Sequence, residues 1–417
     1  MTPRARPEAA DRVTRSHAQT RATLRLAVAF ISAGAVAAGV AAVTGDDRWL
    51  ALHLFLAGGA VLAISAVSLM LTVTWSAAPA PPDSRVSFQR WCIAVGAAGI
   101  AIGRSAELPA AVVGFSATLY ILGLVSLAVL LAVTIRKGPK RRFDTAVASY
   151  LAAIGAGLVG SALGLTMALS HVSVPLRSAH ATANVLGLVG LTIGGTLAYF
   201  ASTVGRSKMN RRATDTRLRL TLAWQTAMVA LAVGTLAVDA SSTAAIGFAG
   251  YSLGIAVTLA WMPTLTRRQF DWAGPRLIAL WTGCAWWIAA TVVTAWQVGS
   301  GKPPFADRWV VVLVVAGYGQ IMWGSLAYLL PMLRGGGHEL LGDGFATTRS
   351  WPGLLSANTA GVALALSWNL VAVAAAGIWV IDGAVRAARI GTSRADRPSP
   401  ANTASPANTA SPANTED

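Results

Sequence analysis

Two histidines, His53 and His180, are the residues whose type and placement could carry chemistry in this chain. Each follows a polar connecting segment and stands at the beginning of a long apolar run. A neutral imidazole nitrogen is a ligand for haem iron and for copper, and the second ring nitrogen of such a ligand is normally held by a polar partner. Asn184 lies four residues after His180, on the same helix face, with Thr182 between them. We expect one of these two side chains to be that partner.

These histidines also have a simpler interpretation, as interfacial residues. An imidazole at the end of a membrane helix can lie among lipid headgroups, as Trp and Tyr do. His17, in the polar N-terminal arm, and His338, in a polar loop, are expected to be solvated. Tryptophans near the ends of apolar runs, Trp49 among them, are expected to form an aromatic belt. The pattern therefore leaves the coordinating and the interfacial interpretations open.

Long apolar segments must position the two histidines. Hydrophobic residues make up 54% of the 417 residues and charged residues only 12%, against about 25% charged in a soluble domain. An apolar run of about 20 residues crosses the hydrocarbon core of a bilayer. The sequence thus predicts an all-α polytopic transmembrane helix bundle with about 11 (10–12) spans, at 25–43, 50–74, 88–103, 109–135, 146–169, 180–203, 220–238, 243–263, 277–297, 309–331 and 358–381.

Three regions follow from this pattern. Residues 1–23 form a polar, basic arm, 24–385 the transmembrane helical domain, and 386–417 a tail that repeats Ser-Pro-Ala-Asn-Thr-Ala. The repeat has no apolar residue larger than Ala, so it cannot bury a core and is expected to be disordered.

The positive charge indicates a lipid partner and a membrane orientation. The formal net charge is +16, but the Lys and Arg residues stand in short loops between apolar runs, which argues against nucleic acid. The even-numbered loops carry more of them, so the N-terminus is expected in the cytoplasm and the protein in the inner or plasma membrane. One conflict remains, because an odd number of spans places the arginines after the last span on the outer side: Arg386, Arg389, Arg394 and Arg397.

Glycine pairs four residues apart mark the fifth and sixth predicted spans, at Gly160 and Gly164 and at Gly190 and Gly194. Small residues at this spacing let helix backbones approach closely, which is the favoured interpretation. The alternative is that they leave room for a flat ligand such as a porphyrin.

Other chemistry finds little support in the sequence. A proton-coupled carrier normally buries an acidic residue within a span, and none is expected here. There is no Walker loop, no serine hydrolase elbow and no His-Glu-x-x-His zinc-protease motif. No pair of interrupted helices indicates an inverted-repeat transporter.

The sixth predicted span carries a resemblance to a known family. It reads His180-Ala-Thr-Ala-Asn-Val-Leu-Gly-Leu-Val-Gly-Leu-Thr-Ile-Gly-Gly-Thr-Leu. This resembles the His-x-His-x-Asn-x-x-Gly-x-x-Gly-x-Thr-x-x-Gly-Thr-Leu segment of NnrS-like bacterial membrane proteins and of membrane regions fused ahead of actinobacterial multicopper oxidases. Both are distantly similar to subunit I of haem–copper oxidases. The segments from His53 to Gly58 and from Gly324 to Pro331 are similar to further parts of that family.

The resemblance implies haem or copper held by His53 and His180, with Asn184 and Thr182 beside them. It also implies a role in redox, copper or nitric-oxide stress metabolism and a membrane or extracytoplasmic redox partner. Thr182 stands where the family has a second histidine, and Met70 where another is expected. A binuclear catalytic centre is therefore expected to be incomplete. A small-solute transporter or channel and a metal-free membrane scaffold are the alternatives.

Overall fold

A computed structural model describes residues 5–45, 48–170, 172–264, 266–305, 307–335 and 337–392. Within these ranges the chain forms helices and no strands. Eleven of the helices are long and apolar enough to cross a membrane. The predicted fold class, an all-α polytopic bundle of about 11 spans, is confirmed.

The long helices agree with the first ten predicted spans. They are α1 (Ala5–Thr44), α2 (Trp49–Ser76), α3 (Asp83–Ser105), α4 (Ala110–Lys137), α5 (Asp144–Leu169), α6 (Val174–Val204), α7 (Asp215–Ala237) and α8 (Ser241–Trp261). After the short α9 (Arg267–Trp272) follow α10 (Pro275–Gly299), α11 (Trp309–Arg334), α12 (Gly337–Thr347), α13 (Trp351–Ala365) and α14 (Asn369–Thr392).

The two ends of the chain are more helical than the three-region division suggests. Helix α1 begins at Ala5, so most of the arm 1–23 is helical. Helix α14 continues to Thr392, beyond the boundary at 385. Residues 393–417, which hold the repeat, lie outside the described part of the chain.

The bounds of the last predicted span, 358–381, are wrong. Helix α13 ends at Ala365 and α14 begins at Asn369, with Ser367 between them at a φ of 62°. The amide of Trp368 donates to the carbonyl of Ala363 at 2.8 Å and closes the helix end. Hydropathy could not reveal this break, because the turn contains apolar Leu366 and Trp368 and has neither Gly nor Pro.

Helices α13 and α14 form an antiparallel hairpin. Arg386, near the end of α14, donates from Nη1 to the carbonyl of Thr347, just before α13 begins, at 2.7 Å. Helix α13 has 15 residues and is therefore about 22 Å long, shorter than the hydrocarbon core of about 30 Å. Because the hairpin brings the end of α14 back to the side where α13 starts, the charge conflict of an odd span count disappears.

The loops after α2, α4, α6, α8 and α11 lie at one face of the bundle, which we call the basic face. Four hydrogen bonds connect neighbouring segments at this face. The first joins the end of α2 to the loop after α4, and the second joins the start of α5 to the start of α7. The third joins the loop after α6 to the end of α8, and the fourth joins α1 to the end of α11. The beginning of α1 contacts the loop after α2, through Arg12 and the carbonyl of Ala77 at 2.9 Å. Both ends of the described chain are thus at the basic face, and the starts of α2 and α6 are at the opposite, histidine face.

Three helices form the centre of the bundle. In the most apolar stretches of α2, α6 and α11, 67%, 83% and 67% of the residues are buried, whereas in that of α14 only 17% are buried. Each of the three contains a π-helical segment, at Leu54–Ala60, Ala183–Leu191 and Leu313–Gly319. Such segments are rare and frequently occur at functional sites. Both candidate histidines stand on these central helices.

Candidate functional site

The rings of His53 and His180 form a stacked, nearly parallel pair at the histidine face. Their centroids are 6.3 Å apart and their planes differ by 10°. A π-helical segment begins directly after His53 and three residues after His180. Both side chains are half-buried. The structure therefore brings together the two histidines that the sequence singled out, from two different helices.

The His180 ring is fixed by α5. Its Nδ1 lies 2.7 Å from the carbonyl oxygen of Gly160. A carbonyl only accepts, so Nδ1 carries the proton and Nε2 carries the lone pair that a metal needs. This holds the imidazole in the tautomer of a metal ligand.

The nearest partner of the His180 ring is the Gly160 carbonyl, and the two expected partners, Asn184 and Thr182, bond mainly elsewhere. Asn184 donates from Nδ2 to the carbonyl of His180 at 2.9 Å, and Thr182 donates to the carbonyl of Ser178 at 2.8 Å. Nδ2 of Asn184 is 3.5 Å from Nδ1 of the ring, and both atoms are donors in this arrangement. Each side chain instead bonds to the carbonyl four residues earlier on its own helix, a frequent alternative for short polar residues.

The glycines of α5 provide the space for this end of α6. A Cβ at Gly164 would lie 2.9 Å from Cε1 of His180, and one at Gly160 would clash with the Asn184 amide. The predicted close approach of the helices is thus what these glycines permit. The side chains of His180 and Asn184 occupy the space beside these two glycines.

The His53 ring is held by its own helix. Its Nδ1 lies 2.8 Å from the carbonyl oxygen of Trp49, and the ring stacks on the Trp49 indole with centroids 4.0 Å apart. The sequence placed Trp49 in an interfacial belt and missed this contact. Its spacing of four residues from His53 was the available signal.

Few other ligand-type side chains accompany the pair. Within the described ranges no group of three or more His, Cys, Asp or Glu residues could hold a metal. Met70 is buried and stands about 25 Å further along α2, so it takes no part. His171, Asp46 and Asp47 lie outside the described residues.

An aromatic cluster closes the middle of α6. Tyr251 of α8, Trp287 of α10 and Tyr318 of α11 are buried and contact one another at ring-centroid distances of 5.2 and 5.9 Å. A Cβ at Gly190 would clash with the Tyr251 hydroxyl and lie 3.0 Å from the Trp287 ring. The hydroxyls of Tyr251 and Tyr318 donate to α6 carbonyls, at residues 186 and 185. The sequence analysis did not identify this cluster.

One acidic residue does lie within a span, contrary to expectation. Asp382 is inside α14 and accepts from Nε of Arg386 at 2.9 Å. The sequence placed it outside the membrane because the last span was predicted to end at 381.

Comparisons with known proteins do not assign this chain to a family, so its function must be argued from its own residues. No protein-family model matches the chain, and no curated protein matches it in sequence. The resemblance of α6 to NnrS-like proteins stays a prediction. The eleven long apolar helices identify the protein as an integral membrane helical protein.

Proposed function

We propose that His53 and His180 coordinate one metal centre near the histidine face, and that the protein serves redox or copper metabolism of the membrane. The observation that carries this is the pair of nearly parallel imidazoles 6.3 Å apart. Two imidazoles on opposite sides of one ion, at metal–nitrogen distances of about 2.0 Å, hold their centroids roughly 6 Å apart. The centroid distance of the stacked pair therefore has the length expected for two imidazoles that share one ion.

Copper suits this donor set best. Imidazole is a ligand for copper, iron, zinc and nickel, but only two donors converge here among the described residues. Cuprous copper accepts two nitrogen ligands, whereas structural zinc requires four. Haem iron with two axial imidazoles is the alternative centre. The glycines of α5 provide no space for a porphyrin ring in this structure, because the side chains of His180 and Asn184 occupy the space beside Gly164 and Gly160.

The charge pattern supports an outward-facing site. The loops of the basic face and the helix ends beside them carry most of the Lys and Arg residues, and segments of this kind normally stay in the cytoplasm. We infer from this that the N-terminus is inside and that the two histidines lie near the outer surface of the inner or plasma membrane. A metal at that depth is within reach of an extracytoplasmic redox partner.

Metal analysis of the purified full-length chain in detergent, with its optical spectrum, tests the proposal. We expect about one copper per chain in the wild type and none in H53A or H180A. The control H17A should keep its copper, because His17 lies in the first half of α1, towards the basic face. Second-sphere disturbance alone lowers metal affinity by about 10–100-fold, so removal of a ligand should abolish binding. A Soret band that disappears in H180A would identify haem iron instead.

Well-folded protein that binds neither cuprous copper nor haem would overturn the proposal. The same holds if H180A retains as much metal as wild type. The histidines would then be interfacial, and a small-solute carrier or a metal-free scaffold would be the remaining interpretations.

A further inference from the structure

The long helices repeat a four-helix pattern three times. The units are α1 to α4, α5 to α8, and α10, α11, α13 and α14. In each unit the second helix is one of the three central helices that contain a π-helical segment, and the third helix packs along the fourth. The sequence repeats in part as well, because residues 190–199 of α6 and 319–328 of α11 both read Gly-x-x-x-x-Gly-(Thr/Ser)-Leu-Ala-Tyr. Corresponding positions in the three units can therefore be compared.

One aromatic residue occupies the same position in the fourth helix of each unit. Helices α4, α8 and α14 begin at residues 110, 241 and 369, and Tyr120, Tyr251 and Trp379 each follow ten residues later. All three contact the π-helical segment of the second helix in their own unit. The Trp379 ring packs beside Gly319, the last residue of the segment in α11, where a Cβ would lie 3.0 Å from the ring. The same position thus makes a similar contact in all three units.

The two tyrosines make the same hydrogen bond. The Tyr120 hydroxyl donates to the carbonyl of Ala57 at 3.2 Å, and the Tyr251 hydroxyl donates to the carbonyl of Leu186 at 3.0 Å. Each of these carbonyls belongs to the fourth residue of its π-helical segment. Both tyrosine rings are buried. The first and second units therefore share a hydroxyl clamp on the same carbonyl of the segment.

The clamp on α2 serves a carbonyl that its α-helical donor has left. In a regular α-helix the amide of Val61 would donate to the carbonyl of Ala57. At the end of this π-helical segment it donates to the carbonyls of Leu56 and Gly58 instead. Backbone groups inside a membrane need a partner within the protein, and the Tyr120 hydroxyl is one for Ala57.

A hydroxyl is present at this position only in the units whose second helix carries a histidine. His53 on α2 and His180 on α6 belong to the units with Tyr120 and Tyr251, whereas α11 contains no histidine and its unit has Trp379. The Trp379 ring shows that packing against a π-helical segment does not need a hydroxyl. The hydroxyls of the other two units therefore indicate a further role, in the segments next to the histidines.

We propose that Tyr120 and Tyr251 are positioning residues that hold the imidazoles of His53 and His180 against each other. His53 directly precedes its π-helical segment, and His180 stands three residues before its own. Such a segment contains an extra residue compared with an α-helix, which turns the residues before it by roughly 100° relative to those after it. A hydroxyl that holds the segment therefore also holds the direction of the histidine. The use of this alignment for copper rests on the proposed function, whereas the alignment itself does not.

Copper affinity of the full-length protein in detergent, measured by competition with a cuprous chelator, is the first test. We expect Y120F to bind copper about tenfold more weakly than wild type, as when a supporting contact of a metal-bound histidine is lost. The effect of Y251F should be smaller, because the Tyr318 hydroxyl also donates to α6, at the carbonyl of Val185. The matched control is W379F, which changes the same position in the unit without a histidine. It should leave copper affinity unchanged even if it lowers the unfolding temperature.

The second test measures the alignment of the two side chains without metal. In H53C/H180C, a short bifunctional thiol reagent should bridge the two introduced thiols, since Cys92 and Cys284 are buried. Mass spectrometry follows the formation of the bridge. We expect the bridge to form more slowly when Y120F is added and at an unchanged rate when W379F is added.

Together the two tests separate the positioning role from copper binding itself. A wild type that binds no copper, with a bridge that Y120F slows and W379F does not, would overturn the metal site and support the positioning role. Equal copper affinity of wild type, Y120F and Y251F would overturn the positioning role. So would a bridge that Y120F slows no more than W379F does, and the two tyrosines would then serve helix packing alone.

Discussion

The end of α6 at the histidine face and the middle of α6 use glycine and polar side chains in opposite ways. At the histidine face, glycines of α5 make room for the His180 ring, whose Nδ1 bonds to the Gly160 carbonyl and which stacks with a second imidazole. In the middle, Gly190 of α6 itself makes room for two tyrosines and a tryptophan, and both tyrosine hydroxyls donate to α6 carbonyls. The proposed metal site is thus at the end of the helix, whereas the closest packing is in its middle.

The largest effect is expected from G190A. The added methyl group would clash with the Tyr251 hydroxyl and press on Trp287, and overpacking of this kind costs about 1–3 kcal/mol or more. Displacement of Tyr251 also removes its bond to the carbonyl of Leu186. We therefore expect loss of about 2–4 kcal/mol, measured as a large fall in the unfolding temperature in detergent.

The matched control is G155A. Gly155 is exposed on α5, and a Cβ there meets no atom within 4 Å. Alanine favours helix over glycine, so the unfolding temperature should stay unchanged or rise slightly. Equal destabilisation by the two variants would show that the middle of α6 is not specially packed.

A smaller loss is expected from Y251F and Y318F. Each removes one hydrogen bond to a carbonyl of α6, of 3.0 and 2.8 Å, and leaves the ring in place. A buried hydrogen bond contributes about 0.5–1.5 kcal/mol. We expect about 1 kcal/mol for each variant, read from the same unfolding transition.

The control for the two tyrosines is Y328F. The Tyr328 hydroxyl makes no hydrogen bond within the described ranges, and its ring packs against Phe200 and Phe345. Its removal should leave stability nearly unchanged. If Y251F and Y318F behave like Y328F, the hydroxyl bonds do not stabilise the middle of α6.

The difference between the two regions also explains which features the sequence could reveal. His53 and His180 were identifiable because histidine is rare in this chain and both begin long apolar runs. The span count was predictable from hydropathy because long apolar runs mark the membrane helices. The hydrogen bond from the His180 ring to the Gly160 carbonyl was not predictable, because residue type does not show which backbone carbonyl of another helix will accept it.

The aromatic cluster and the α13–α14 hairpin were not predicted from the sequence, for other physical reasons. Tyr251, Trp287 and Tyr318 belong to three different helices, so only their packing brings them together. The π-helical segments shift the side chains that follow them, and single-sequence periodicity does not locate such shifts. The turn at Ser367 lies within an apolar run and was therefore counted as membrane helix.

The smallest effect on stability, and the sharpest on chemistry, is expected from G164A. The new Cβ would lie 2.9 Å from Cε1 and 3.0 Å from Nδ1 of His180, so the ring must shift by a few tenths of an ångström. At a half-buried ring the cost in stability should be below about 1 kcal/mol. Metal ligands tolerate such shifts poorly, because the supporting contacts set the orientation of the donor atom.

Copper affinity of G164A should therefore fall by about tenfold while the unfolding temperature remains close to that of wild type. Competition with a cuprous chelator measures the affinity, and G155A on the same helix serves again as the control. A variant that loses stability and affinity together would mean that the end of α6 at the histidine face is as tightly packed as its middle. Unchanged affinity with a displaced ring would mean that His180 does not hold the metal, since a ligand that moves without consequence is not a ligand.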